Sequence, residues 1–152
     1  MEIRDLTKEA VLISEDATFH DAIALMVKKQ TNSLLVTDAE GKLSGEVGVS
    51  DLLNAIVPDF LEPEKVMEEL STEKGFGKAV KGATDKAVRD FMTIDMEPVH
   101  VDDSLLTIAG TAIAHGTQHI PIVDHDGRPI GVISRRGLKH ILAKYLDIKD
   151  SK

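Results

Sequence analysis

A chain of 152 residues is normally one domain, and 42% hydrophobic with 29% charged residues is the balance of a globular protein with a core of its own. The absence of cysteine excludes disulfides, thiolate metal sites and a cysteine nucleophile, and no apolar run approaches the roughly 18 residues of a membrane span. A formal net charge of −8 argues against non-specific nucleic-acid binding but leaves room for a small anionic ligand at a locally positive site.

The chain opens with Ile3-Arg4-Asp5-Leu6-Thr7 and a short predicted strand, Ala10-Val11-Leu12-Ile13. The start Met1-Glu2-Ile3-Arg4-Asp5 lacks the charged-then-apolar layout of a signal peptide, so a cytoplasmic location and no membrane partner are expected. Asp16 or Thr18 can cap a helix whose apolar positions Phe19, Ala22, Ile23, Leu25, Met26 and Val27 keep a helical period. That helix fades at Lys28-Lys29-Gln30, where cations suit its C-terminal dipole. Leu34 to Thr37 reads as a buried strand, Ala39-Glu40-Gly41-Lys42 as a hairpin turn, and Leu43 to Val49 as the partner strand. Ser50 or Asp51 then caps a helix through Leu52, Leu53, Ala55 and Ile56 towards Pro58.

Residues 58–86 form an insertion in which Glu64 to Leu70 reads as helix. Gly75-Phe76-Gly77-Lys78 and Lys81-Gly82-Ala83 read as loop. A solvated connector is expected, with Phe60, Met67 and Phe76 motivating a flap or a dimer contact as the sharper reading.

The first segment then returns. Val88-Arg89-Asp90-Phe91-Met92-Thr93 echoes Ile3 to Thr7, and Pro98-Val99-His100-Val101 is a strand. Asp102-Asp103-Ser104 caps a helix carrying Leu105, Ile108, Ala109, Ala112 and Ile113, which ends at Gly116. Ile120 to Val123 and Ile130 to Ile133 flank the turn at Asp126-Gly127, and Leu138 to Tyr145 is the closing helix. The offset is 86 residues, from Gly41 to Gly127 and from Gly45 to Gly131. A period of this kind outranks every local signal in deciding the fold. The boundaries that follow are a first repeat at 1–57, a connector at 58–86, a second repeat at 87–146 and a charged tail at 147–152.

A tandem strand–helix–strand–strand–helix unit opened by Val-Arg-Asp-Phe-Met-Thr resembles the CBS domain, the cystathionine β-synthase regulatory module. The residues that carry the resemblance are Gly41, Gly45-Glu46-Val47-Gly48-Val49-Ser50-Asp51-Leu52, and Asp124, Gly127, Gly131-Val132-Ile133-Ser134-Arg135-Arg136-Gly137-Leu138. The resemblance implies a mixed α/β (α+β) fold of two β-α-β-β-α repeats about a pseudo-twofold axis, a stand-alone CBS pair or Bateman module. It also implies a homodimer, a regulated partner protein, no catalysis, and an adenosine-containing ligand of the AMP, ADP or ATP type in clefts between the repeats. No cofactor is required; Mg²⁺ would arrive with the ligand's phosphates.

The family's ribose-phosphate motif is Gly, two apolar residues, Thr or Ser, two variable residues, then Asp. Its carboxylate accepts from the ribose hydroxyls, its hydroxyl donates to the phosphate, and the helix start favours an anion. Here it is split. The first copy keeps Asp51 but has Gly48 at the hydroxyl position, whose backbone N–H is expected to approach a phosphate. The second keeps Ser134 but has Gly137 where Asp should stand. The Asp51 cleft is the better ribose site. The resemblance assigns it Gly48, Ser50, Thr93, Pro98, Val99, Gln118, His119, Ile120 and Pro121, with Gln118 and His119 near phosphates. It assigns the Ser134 cleft Arg135, Arg136, Thr7, Val11, Leu12, Asn32, Ser33 and Leu34, with the arginines as phosphate grips.

Three rival readings remain. His115, His119, Asp124, His125 and Asp126 could form a metal site, but Gly116-Thr117 breaks the helix that two histidines four apart would need. An enzyme lacks any marked nucleophile or acid–base arrangement, and Gly75-Phe76-Gly77 is outside the strand-to-helix context of a phosphate loop. A protein-interaction module without ligand is supported by the split motif.

Overall fold

The computed structural model describes residues 3–58, 61–115 and 119–149. In chain order the elements are α1 (Ile3–Leu6), β1 (Thr7–Lys8), β2 (Leu12–Ser14), α2 (Phe19–Lys29), β3 (Ser33–Thr37), β4 (Leu43–Gly48), α3 (Val49–Ala55), α4 (Pro63–Leu70), α5 (Glu73–Gly82), α6 (Val88–Phe91), β5 (Val99–His100), α7 (Leu105–His115), β6 (Ile120–Val123), β7 (Pro129–Ile133) and α8 (Arg135–Tyr145). The fold is mixed α/β. Among the described residues no helix is long and apolar enough to cross a membrane.

The elements fall into two compact units. The first takes residues 11–39 and 44–94. Its sheet runs β2-β3-β4, with β2 and β3 parallel in the register Leu12 to Leu35, Ile13 to Val36 and Ser14 to Thr37. A parallel pair needs a crossover, and α2 supplies it. Thr18, not Asp16, caps that helix: its hydroxyl accepts from Asp21 N–H while the Asp21 carboxylate accepts from Thr18 N–H. Asp16 instead pairs with Arg89. The core gathers Ile13, Phe19, Ala22, Met26, Leu34, Val36, Val47, Leu52, Ala55 and Val88, with Phe91 meeting Phe19 edge to face at 5.9 Å.

The second unit takes the described parts of residues 1–10, 40–43 and 95–152. Its sheet runs β1-β7-β6-β5, with β5 and β6 parallel and β7 antiparallel to both neighbours. Ile3, Leu6, Val99, Ile108, Ile120, Ile122, Ile133 and Ile141 form its core.

The 86-residue offset therefore reaches into the cores: Ile13, Ala22, Leu34, Val36, Val47 and Ala55 recur as Val99, Ile108, Ile120, Ile122, Ile133 and Ile141. Where the first core has alanines the second has isoleucines, and Phe19, Met26 and Phe91 hold the places of Leu105, Ala112 and Leu6. Large and small residues trade places so that both cores fill. The lead-in segments are exchanged. α1 and β1 pack in the unit built on the second repeat's strands, and α6 with Thr93 packs in the unit built on the first's.

The repeated Gly45 and Gly131 mark where those lead-ins cross. A Cβ on Gly45 would lie 2.6 Å from Met92 Sδ and 3.0 Å from the Thr93 carbonyl oxygen. One on Gly131 would lie 2.4 Å from Thr7 Cγ2 and 2.9 Å from the Lys8 carbonyl oxygen.

Several sequence expectations are corrected. The stretch predicted as loop between Gly75 and Ala83 is α5, capped by the Thr72 hydroxyl on Gly75 N–H, with Ala79, Val80 and the 1% exposed Ala83 against the first unit's core. Packing overrides the weak helix propensity of its three glycines. Met67 and Phe76 are 74% and 44% exposed, and Phe60 lies outside the described residues. The strand expected at Ala10 to Ile13 is β2, Leu12–Ser14, starting two residues later, and α8 begins at Arg135 rather than Leu138. Gly116 lies outside the described residues.

Candidate functional site

In the first unit β4 runs directly into α3, and the residue at the junction is Gly48, not Ser50 or Asp51. Glycine has no side chain to cap with, so the third helical residue reaches back: Asp51 Oδ2 accepts from Gly48 N–H at 2.8 Å. The other oxygen, Oδ1, accepts from the Thr93 hydroxyl at 2.7 Å. Thr93 is held there by a backbone pair with Glu46, at 2.9 and 2.8 Å. Asp51 is thus fixed by two donors, one from its own turn and one from the exchanged lead-in. Each carboxylate oxygen retains capacity for a further donor. Gly48 N–H, expected to face a phosphate, is already used by Asp51. Ser50 is exposed on the first turn of α3.

Beside Asp51 is a cavity of about 500 Å³ lined by Asn54, Ala55, Lys86, Asp90 and Phe91. Lys86 Nζ donates to the Ala55 carbonyl at 2.7 Å, a cation at the end of α3 where the dipole favours one. Burial pushes the neighbouring Glu46 carboxyl above its usual range, and the Asp51 carboxylate adds to the shift.

The second unit builds the matching place differently. Ser134 is the N-cap of α8, yet its hydroxyl makes no capping bond. A cavity of about 400 Å³ is lined by Asp5, Leu6, Thr7, Lys8, Ser134, Arg136, Gly137 and His140. Thr7 stands where Thr93 stands in the other unit, but finds no carboxylate and donates to the Ile3 carbonyl at 2.8 Å. A Cβ on Gly137 would lie 3.0 Å from the Leu6 carbonyl oxygen and 3.1 Å from Ile133 Cγ2. Where the aspartate is missing, α1 thus packs tightly against the position it would take.

The structure gathers Thr93 with Asp51 and Gly48, and Thr7 with Ser134 and Arg136. Pro98, Val99, His119, Ile120 and Pro121 belong to the unit that does not contain Asp51, and Val11, Leu12, Asn32, Ser33 and Leu34 to the unit that does not contain Ser134. Val99, Leu34 and Ile120 are core side chains with little but backbone to offer a ligand. Asn32 borders a separate cavity of about 420 Å³ with Ile23, Met26, Val49 and Leu52. Gln118 lies outside the described residues, and Arg135 is the first residue of α8.

Sequence reasoning missed Asn54, Lys86, Asp90 and Phe91 in one cavity, and Asp5, Lys8 and His140 in the other. The repeat held a signal for most of them. Asn54 and His140 are one offset apart, and Asp90-Phe91 matches Asp5-Leu6 in the lead-ins.

The rival metal ligands are dispersed. His115 Nε2 is 4.0 Å from Glu97, His125 Nε2 is 2.9 Å from Asp102, and the Asp124 carboxylate accepts the N–H groups of Asp126 and Arg128. Among the described residues no group of three or more His, Cys, Asp or Glu could hold a metal ion.

Comparison with known proteins agrees with this architecture. The family model of the CBS domain matches residues 3–58 and 88–144. An uncharacterized protein of Methanocaldococcus jannaschii is 28% identical over 149 residues, covering 91% of this chain and 89% of the relative. The CBS domain of a CBS domain-containing membrane protein from Sphaerobacter thermophilus superposes with a TM-score of 0.73 at 27% identity, covering 92% of this chain and 86% of that one. The CBS-pair protein CBSX2 from Arabidopsis thaliana superposes with a TM-score of 0.71 at 22% identity, covering 96% of each chain. CBSX2 has also been solved in complex with AMP, with a TM-score of 0.67 at 23% identity, covering 95% of this chain and 98% of that one. Two matched segments, two exchanged lead-ins and two sheets of the same design leave one reading: the chain belongs to the CBS domain family, as a tandem CBS pair, a regulatory module.

Proposed function

We propose that this CBS pair is a cytoplasmic sensor of an adenosine-containing ligand of the AMP, ADP or ATP type, with the ribose read by Asp51 and Mg²⁺ brought by the phosphates. The observation that carries the reading is the Asp51 carboxylate. Gly48 N–H and the Thr93 hydroxyl orient it beside a cavity of about 500 Å³. One acceptor site remains on each oxygen, which suits the two hydroxyls of a ribose. The AMP complex of CBSX2 is a precedent in the same fold. Regulation follows if the ligand favours one arrangement of the module over another, because only differential affinity shifts an equilibrium.

The test is calorimetric titration of the intact chain and of Asp51→Ala with AMP, ADP and ATP, with and without Mg²⁺. Asp51→Ala is expected to lose about tenfold or more in affinity, the scale of a charge-assisted pair of hydrogen bonds. Equal affinity in the two proteins would remove Asp51 from the site.

A second reading, self-association or docking of a regulated protein, is favoured by one observation. Leu106 and Ile113 on α7, and Leu142, Tyr145 and Leu146 at the end of α8, are apolar and exposed in the second unit. Gly110 on α7 has open space around it, room for close helix approach. We assign this face to a homodimer.

A further inference from the structure

The helices α4 and α5 stand outside the two segments that the CBS domain model matches. Their pairing is built, not slack. Ala79, Val80 and Ala83 seat α5 on the first unit's core. At the corner the Thr72 hydroxyl accepts from Gly75 N–H at 3.0 Å, and a Cβ on Gly75 would run into the Glu69 carbonyl oxygen. α4 packs on α5 yet buries no residue of its own. Met67 of α4 and Phe76 of α5 stay exposed.

The two helices carry opposite charge. α4 has Glu64, Glu68 and Glu69 against Lys65, and α5 has Lys74, Lys78 and Lys81 against Glu73. All of these side chains are exposed. Charge that served the pairing of α4 with α5 would join them. Instead Lys65 pairs with Glu68 inside α4, at 3.6 Å, and among the described residues no ion pair links the two helices. A wholly acidic partner would be repelled by α4 and a wholly basic one by α5. A surface with the same two charges side by side suits both. A second copy supplies it across a two-fold axis, because such a contact pairs each feature with its complement.

We propose that α4 and α5 form a second self-association surface, in which acidic α4 of each copy lies over basic α5 of the other and Met67 meets Phe76 between them. A thioether against a ring edge is a favourable contact that tolerates loose packing. The helices are about 12 Å and about 15 Å long and about 10 Å wide, so the patch is about 300 Å² per copy, well under the roughly 800 Å² of a standard interface. The contact is therefore weak and salt-sensitive, and it joins α7-linked dimers at high protein concentration rather than replacing the α7 contact. The inference goes beyond the nucleotide reading and the α7 dimer and depends on neither.

The test is sedimentation velocity of the full chain, in a concentration series reaching the millimolar range. It is run at ionic strengths of about 0.01 M and about 1 M, where the Debye length is about 30 Å and about 3 Å. The parent is expected to add an association step at low salt that weakens about tenfold or more at high salt. Two charge-reversed variants follow, Glu68→Lys/Glu69→Lys and Lys74→Glu/Lys78→Glu. Cations in the last turn of α4 and an anion in the first turn of α5 suit the helix dipoles, so melting temperature is expected to be kept. Each variant is expected to lose the step, because like charges then face each other. The chain carrying all four reversals keeps the parent's net charge. It is expected to regain the step with itself and not to co-associate with the parent. Absence of the step in the parent overturns the proposal. So does a step that survives either double reversal, or one that fails to return in the fourfold variant. Repeating the series in Ile113→Glu separates the two surfaces. A salt-sensitive step that persists there supports the α4–α5 contact, and one that vanishes there assigns all self-association to α7 and overturns this inference.

Discussion

Gly131→Ala puts the exchange of lead-ins to a direct test. Its new Cβ would lie 2.4 Å from Thr7 Cγ2 and 2.9 Å from the Lys8 carbonyl oxygen. The first contact is a side-chain methyl, but Thr7 is held by its hydroxyl bond to the Ile3 carbonyl. The second is backbone of β1, fixed in register by Thr7 to Ile133 and Lys8 to Val132. Relief must therefore come from moving β1 off β7. Overpacking of this kind costs about 1–3 kcal/mol. A chain of this size loses about 2–4 °C per kcal/mol, so the expected fall in melting temperature is roughly 2–12 °C. The matched control is Gly77→Ala on α5, where nothing lies within 4 Å of the added Cβ. It removes a helix-interior glycine and is expected to stabilise by about 1 kcal/mol. Thr7→Ser deletes the clashing methyl and keeps the hydroxyl, so Gly131→Ala in a Thr7→Ser background is expected to recover part of the loss. The assay is calorimetric or optical melting of the parent, Gly131→Ala, Thr7→Ser and their double variant, read as a double-mutant cycle, with the control variant melted beside them. If Gly131→Ala melts no lower than Gly77→Ala, or shows no coupling to Thr7→Ser, close approach of β1 is not what requires the glycine.

Other predictions rest on single contacts. Thr18→Ala removes the cap of α2 and is expected to cost about 1 kcal/mol by chemical denaturation, whereas unchanged stability would mean the capping box is not formed in solution. The Thr18 N–H lowers the Asp21 carboxyl below its usual range, so its contribution is present at neutral pH and fades as pH falls through the carboxylate range. Glu46 has the opposite sign. Its pKa is raised above 4.5 by burial and Asp51, so the folded protein holds the proton more tightly and stability falls as pH rises through that window. Glu46→Gln is accordingly expected to melt higher than the parent at about pH 8, with the gap closing by about pH 4; a gap that does not depend on pH contradicts this account. Ile113→Glu, at a site 83% exposed, is expected to shift a dimer to monomer in analytical ultracentrifugation without lowering the monomer's stability, and an unchanged sedimentation profile clears α7 of the interface.

Local signals carried the hairpins, the two long helices of the repeats and the repeat itself. Gly41 and Gly127 adopt φ of +81° and +84°, conformations that the turn chemistry of the sequence already demanded. The core was legible because its apolar positions recur at the 86-residue offset in strands and helices alike. The candidate site was legible only as far as Asp51, Gly48 and Ser134, the positions that carry the split motif. Lys86 and Lys8 were missed because a single exposed lysine in a sequence has no distinguishing neighbours. Their position beside a cavity depends on which sheet the adjoining lead-in joins.

That choice belongs to the tertiary structure. α1 and α6 are four residues each, too short for periodicity to speak, and the two repeats offer sheets of nearly the same design. Fit to the particular core decides between them: Phe91 finds Phe19 beside the small Ala22 and Ala55, while Leu6 and Ile3 fill the isoleucine-rich core. The glycines of α5 read as loop because propensity is a local quantity, and were overruled by Ala79, Val80 and Ala83 finding a core to cover. The sequence by itself determined two copies of one unit and a motif divided between them. Packing alone determined that each copy borrows its lead-in from the other, that Thr93 thereby reaches Asp51, and that Leu6 crowds the place where a second aspartate would have stood.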